Sequence, residues 1–513
     1  MDQRWIKALI LALVMVSVVT LVATSGVTAQ ERVLRVRIGS DITAMDPARL
    51  FNIENQTMCN QIYNGLTKYD YGKTNQLMPD LAERWELSPD SKIYTLHLRK
   101  GVKWHKGYGE LTADDVKFSY ERILDPNTAS KYRGEFKLVE KIEALDRYTV
   151  RITLKQKYPG FLNKVAAYNQ GFVISKKAME ALGDRYATEP IGTGPFIFES
   201  WSPKNQVVLV ANKEYFEGPP QVDKIIFKLI FEETTAEIAL QKGEIDIFYA
   251  LQNPEVIKRL EKAPGILVYR ETMNHTVNLV MNPKHPPLAD PKVRRAVAHS
   301  LNLRALREVF FQGLKNPPNW VLTTNFAESA TDLTEWEHDP QKAKELLKEA
   351  GYPHGFSVTL TTLALQPYDK IAVVLANDMR KAGIDAKVQV LERAAYIAAR
   401  SAGTPQMVGT GVTGPPDPDQ PLWNLLHSSS FPPGMNTAHY TAIDELLEAG
   451  QVELDRQKQL QLYRKIQEKI REDVPVIPLY NDVVFAAAGD QVKGFVPDPQ
   501  FTMFLYPVWL EKK

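Results

Sequence analysis

The sequence of 513 residues holds a single cysteine, Cys59. No internal disulfide is available to it, and no cysteine-based metal site. Its nine histidines are scattered; none stands in an H-E-x-x-H pattern or at short spacing from another. That spacing does not support a metal centre. No G-x-S-x-G elbow and no Walker loop occur, so two common signatures of hydrolases and nucleotide enzymes are missing. An excess of charge is missing too. Lys and Arg total 62, Asp and Glu 61, for a net charge of +1. Such a chain has no overall field to hold a polyanion, which excludes nucleic acid as the expected partner. Beyond residue 30 no run is apolar enough to span a bilayer. Stability must therefore come from core burial, and a chain this long is expected to fold as two or three lobes.

The first thirty residues differ from the rest. Arg4 and Lys7 precede an uncharged, largely apolar run from Ala8 to Ala23, and small residues lead to Val27-Thr28-Ala29. This is the three-part pattern of a secretory signal with cleavage after Ala29; the run is shorter than the roughly 20 residues of a spanning helix. No cysteine lies near the cut, so lipid anchoring through cysteine is not expected. Export to the periplasm follows.

Strand and helix patterns alternate thereafter. Leu34, Val36 and Ile38 alternate with Arg35 and Arg37, as on a half-buried strand. Tyr94-Leu96-Leu98, Val150-Ile152-Leu154 and Ile225-Phe227-Leu229 repeat the period. Asp290-Pro291 and Asp339-Pro340 read as helix caps followed by a proline with no N–H to lose. Thr112 with Asp115 makes a capping box. A long helix is expected from Asp455, ending by Pro475. The mixture predicts α/β lobes. The stretch from Gly409 to Pro421 is rich in Gly and Pro and is expected to be a constrained loop with a working surface. Gly409 to Gly414 formally matches G-x-G-x-x-G, but Pro415, Pro416 and Pro418 follow, so the helix that a dinucleotide site needs is not expected to open there. Asp417 and Asp419 leave a secreted hydrolase as the competing class, since carboxylate spacing is set in space.

Several ordered motifs resemble the extracellular solute-binding proteins of the peptide/nickel type, which serve ABC importers. They are Leu77-Met78-Pro79-Asp80-Leu81-Ala82-Glu83-Arg84-Trp85-Glu86, Tyr94 to His105 with Lys103-Trp104-His105 at its end, Leu111 to Val116, Ile191-Gly192-Thr193-Gly194-Pro195-Phe196, Val293-Arg294-Arg295-Ala296-Val297 and Lys342 to Leu347. Most of these residues, Trp104 and His105 included, are expected to pack or bond locally. The resemblance implies an α/β, periplasmic-binding-protein-like fold: two lobes joined by a two-segment hinge, with an additional inserted lobe. It implies a first binding lobe of 31–76, 191–281 and 488–513, an inserted lobe of 77–190 and a second binding lobe of 282–487. The crossovers fall near Asn282-Pro283 and Ala487-Gly489. It also implies a monomer without cofactor, metal or catalysis. That monomer captures a peptide or peptide-like solute by hinge closure and delivers it to the permease subunits of the importer. A metal chelate, an opine or an oligosaccharide is the alternative solute.

By resemblance, ligand contacts are expected in three regions: Phe51, Asn52 and Ile53; the strand from His275 to Met281, with Asn278 the best polar candidate; and the Gly409–Trp423 stretch, with Val412, Thr413, Gly414, Asp417 and Trp423. Arg400 and His439 complete the set. In peptide-binding relatives Gly-Trp and an Asp for the peptide ammonium occupy the third region. Here Val412 follows Gly411 and Pro415 stands at the Asp position. Asp417 is the substitute two residues on, or else the solute lacks a free amino terminus.

Overall fold

The computed structural model describes residues 31–511, except 50, 51, 72, 319 and 414–416. The expected leader, Phe51 and Gly414 lie outside the described residues. In chain order the strands used below are β1 (Val33–Ile38), β2 (Ala82–Leu87), β3 (Ile93–Leu98), β4 (Val139–Asp146), β5 (Thr149–Leu154), β6 (Phe196–Ser202) and β7 (Gln206–Ala211). They continue with β8 (Lys224–Leu229), β9 (Ile247–Leu251), β10 (Ile266–Met281), β11 (Phe356–Leu363), β12 (Ile384–Leu391), β13 (Met407–Thr413) and β14 (Val476–Gly489).

Ten strands form one mixed sheet in the order β12-β11-β13-β10-β14-β9-β1-β8-β7-β6. Its two longest members, β10 and β14, run antiparallel past each other. The first half of β10 pairs with the last half of β14, beside β9; its second half pairs with the start of β14 and with β13. Hydrophobic burial divides along these strands. One core runs from Leu34 to Tyr249 and returns from Val484 to Val508. A second runs from Val277 to Tyr480. A small third cluster under β9 joins Ala236 to Leu260 with Val483, Phe485 and Ala487. Each large aliphatic side chain fully buried in these cores stabilises the fold by about 1.5–3 kcal/mol. The separate antiparallel sheet β2-β3-β5-β4 packs into the first core, not the second. The fold is α/β and two-lobed with an inserted sheet, as the resemblance implies.

The caps read from sequence are present. Asp290 accepts from Lys292 N at 2.7 Å at the head of Pro291–Ser300, and Asp339 caps Pro340–Glu349. Asp115 accepts from Thr112 N at 2.9 Å. The long helix spans Arg456–Asp473 under an Asp455 cap. Two expectations are corrected. Arg37 does not face water: β1 is central, the residue is 4% exposed, and its guanidinium donates to the carbonyls of Ile230, Tyr249 and Phe231. The Gly409–Pro421 stretch is not one loop. Gly409 to Thr413 belongs to β13, and a helix begins at Asp419, with Pro421 in its first turn where no backbone donor is required.

The motif residues are used as struts. His105 Nε2–H donates to Gly194 O at 2.9 Å and Nδ1 accepts from Gly192 N at 3.3 Å, so two separated motifs meet at one buried imidazole. Burial pushes this histidine down to about 4. Asp80 accepts from Gly65 N at 3.0 Å and Asn64 Nδ2 at 2.9 Å, and Arg294 donates to the carbonyls of Leu288, Ala289, Asp473 and Val474.

Candidate functional site

The ladder between β10 and β14 breaks where one core gives way to the other. Thr272 faces Val483, but Thr276 faces Asn481. Met273, Asn274 and His275 therefore stand against Asp482 alone, a bulge that bends the strand and re-aims its side chains. The two expected crossovers, Asn282-Pro283 and Ala487-Gly489, lie at the far ends of these strands.

The bulge presents a polar trio. His275 Nδ1 lies 2.5 Å from Asp482 Oδ2, and Lys315 Nζ donates to Oδ1 at 2.5 Å. Burial alone would raise the Asp482 carboxyl. The bonds and charges of His275 and Lys315 outweigh it and hold the group well below the usual carboxylate range. Across the sheet lies Gly411 of β13. A Cβ there would sit 2.2 Å from His275 Nε2 and 3.2 Å from the Tyr368 hydroxyl. Glycine at 411 is thus a packing requirement of the imidazole, not a nucleotide signature. Tyr368 is pushed up to about 12 by burial, with Asp482 adding to it.

A cavity of about 950 Å³ opens over the trio. Its walls come from both sides of the core boundary: Leu251, Phe485 and Phe501 on one, Phe311, Tyr368 and Tyr480 on the other. The chain's last segment also reaches it, since Asn274 N donates to Pro499 O at 2.7 Å. Apolar walls with a few convergent polar groups suit a small organic solute. Among the described residues, no cluster of three or more His, Cys, Asp or Glu side chains is arranged to hold a metal.

The residues expected from sequence lie elsewhere. Asn52 caps the helix Ile53–Ile62 by accepting from Asn55 N at 2.8 Å, and Ile53 is its half-buried first residue. Asn278 is 1% exposed inside the second core, donating to Thr276 O. Val412 packs in that core, and Thr413 pairs through its backbone with His275. Arg400 lies over the Tyr396 ring at 5.6 Å. His439 lies beside Phe431 and Gly403, beyond the far end of β10. Asp417 is buried, with Tyr158 and Lys164 of the first-core side as partners. Trp423 stacks on His427 at 3.7 Å and lines a different cavity of about 830 Å³. Of the strand His275 to Met281 to which the resemblance pointed, His275 lines this cavity, whereas Asn278 lies inside the second core. Asp482 was missed although it carries a signal: it is the one charged residue in the run Val476 to Gly489.

A sheet shared by two cores, bridged by two long strands and roofed at the bridge by a ligand-sized cavity, defines a two-lobed solute-binding protein. The chain belongs to a known family of that class: the model described as "Bacterial extracellular solute-binding proteins, family 5 Middle" matches residues 76–432. It is similar to the dipeptide-binding protein of Escherichia coli (strain K12), 30% identical over 85% of this chain and 87% of that one. It is also 32% identical to the glutathione-binding protein GsiB of the same strain, over 91% and 93% of the two chains. Among solved structures it resembles the ABC transporter-associated periplasmic binding protein DppA from Helicobacter pylori in complex with the peptide STSA. The TM-score is 0.78 at 32% identity, covering 95% of this chain and all of that one.

Proposed function

We propose that this protein is the exported, periplasmic capture component of an ABC importer. It takes up a peptide or peptide-like solute in the cleft over the β10–β14 bulge. The observation that carries the reading is the cavity itself: aromatic walls from two separate cores converge on a bulge fixed by His275, Asp482 and Lys315. The lobes follow those expected from the sequence, 31–76, 191–281 and 488–513 against 282–487, with 77–190 inserted, except that the two cores put the change of lobe several residues earlier on each strand, since Val277, Leu279, Val280 and Met281 pack in the second core and Val484 and Ala486 in the first. They turn about the ladder break at Met273–His275 and Asp482, where three residues face one. Solute touching both walls favours the closed arrangement because only the closed arrangement offers both. Backbone bonds to the solute give affinity without fixing its side chains, and the importer's permease subunits receive the closed form. The relatives that bind a dipeptide, glutathione and a tetrapeptide support a peptidic solute. The segment 1–29 is the cleaved export signal.

Native mass spectrometry of freshly purified protein tests the reading. The expected result is a non-covalent mass excess that, once released, fragments at amide bonds and has not been hydrolysed. A retained compound without amide bonds removes the peptide assignment, and turnover of the solute removes the non-catalytic one.

A further inference from the structure

The inserted sheet and the first binding lobe share one core, so they move as one body. Any bond from the inserted sheet to the second core therefore crosses the boundary that hinge closure would open. A buried cluster does this. Tyr158 OH donates to Asp417 Oδ2 at 2.9 Å, and Lys164 Nζ lies 3.4 Å from the same oxygen. Lys164 also donates to Glu135 Oε2 at 2.8 Å, while Gln420 Nε2 donates to Glu135 Oε1 at 2.9 Å. On the second-core side, Asp417 Oδ1 accepts from Asp419 N at 3.0 Å, and the Asp419 carboxylate accepts from Tyr463. Side-chain exposure is 8% for Lys164 and 3% for Asp417. The cluster separates a cavity of about 830 Å³ from one of about 430 Å³.

Resting on the hinge-closure reading, we infer that Lys164, Tyr158, Glu135, Asp417 and Gln420 form a clasp: positioning residues that touch no solute and set how the second lobe seats on the inserted lobe. This gives the inserted lobe a role in capture and gives Asp417 one other than holding a ligand amine. The physical reason is an asymmetry. In the open form these groups regain water. In the closed form a buried ion pair returns little net energy, but a buried charge without its partner is strongly penalised. The clasp therefore excludes misaligned closure more than it glues the lobes. Burial and the neighbouring Asp417 charge push the Asp419 carboxyl up, the behaviour of two carboxyls that face a single lysine.

The test is single-molecule energy transfer on the full unliganded chain, with dyes at the exposed positions Lys177 and Lys344. The wild type is expected to show a closed and an open spacing. Lys164→Gln and Asp417→Asn should each lower the closed-to-open ratio at least about tenfold, and the double variant should recover most of that loss, the non-additivity of a paired contact. Circular dichroism identifies a variant that fails to fold. In that case Gln420→Ala, a neutral change at the same contact, should lower the ratio about threefold. Two spacings whose ratio none of these variants changes overturn the clasp and leave the hinge standing. A single spacing in the unliganded wild type overturns the clasp, and one that the solute released from the purified protein leaves unchanged when added back overturns the hinge as well.

Discussion

Two carboxylate–lysine groups of this molecule, one half-buried and one buried, are built differently. At the bulge, Asp482 has one lysine and one histidine to itself, and its carboxyl is held well below the ordinary range. At the contact between inserted sheet and second core, Asp417, Asp419 and Glu135 crowd around Lys164 alone, and Asp419 is pushed up. The first group lies within the paired strands β10 and β14 and their immediate neighbour Lys315. The second lies between the inserted sheet and the second core. A carboxylate with partners to spare fixes a pivot, and carboxylates that share one cation suit a contact that must part.

The largest expected effect follows from removing the better-partnered carboxylate. Asp482→Asn strands Lys315 with no compensating charge and should cost about 3–5 kcal/mol in urea unfolding. A loss under about 1 kcal/mol would mean that the trio does not fix the pivot. Gly411→Ala comes next. Its Cβ falls 2.2 Å from His275 Nε2, so the imidazole must leave its place. A cost of about 1–3 kcal/mol is expected, together with loss of retained solute by mass spectrometry. Retention at wild-type level would show that His275 is not part of the binding wall.

A third carboxyl sharpens the contrast. Asp498 lies in the terminal segment that docks on the bulge, forms no ion pair among the described residues, and is pushed up to about 7 by burial. With a folded value above the unfolded one of roughly 3.9, its contribution is fully present below about pH 4 and is lost as pH rises through 7. Asp482, shifted the other way, contributes above its unfolded value and loses only on strong acidification. Asp498→Asn should therefore flatten the pH dependence between about pH 5 and 7, where the native group contributes up to about 1.4 kcal/mol per pH unit. His105, pushed down to about 4, opposes this below roughly pH 6.5 and is unchanged by that substitution. An unaltered slope would place Asp498 in water. The smallest effect belongs to the exposed Arg464–Asp332 pair, whose Arg464→Ala variant should melt with the wild type, since solvent screens such pairs.

How far the sequence reaches is visible in these same residues. Caps at Asp290, Asp339 and Asp455 depend on neighbours two or three positions away, and each was legible. Strand faces were legible in β3, β5 and β8, where alternation continues unbroken. Alternation misled at Arg37, because centrality in a sheet is not written in a strand's own residues, and the break that aims His275 at the cleft is likewise unwritten in β10, since it depends on the register with β14. The glycines of β13 imitated a phosphate loop; for Gly411 the reason is the imidazole of a residue more than 130 positions earlier. The clasp depends on Asp417 meeting Tyr158 and Lys164 across more than 250 positions, a pairing that no local pattern carries.

Small-angle scattering of the full chain, stripped of its retained solute and then resupplied with that solute, tests the central claim most directly. Rotation about the Met273–His275 and Asp482 break predicts a smaller radius of gyration on resupply and a return to the larger value on stripping. Identical curves for the two forms, with binding verified in the same samples, would contradict it.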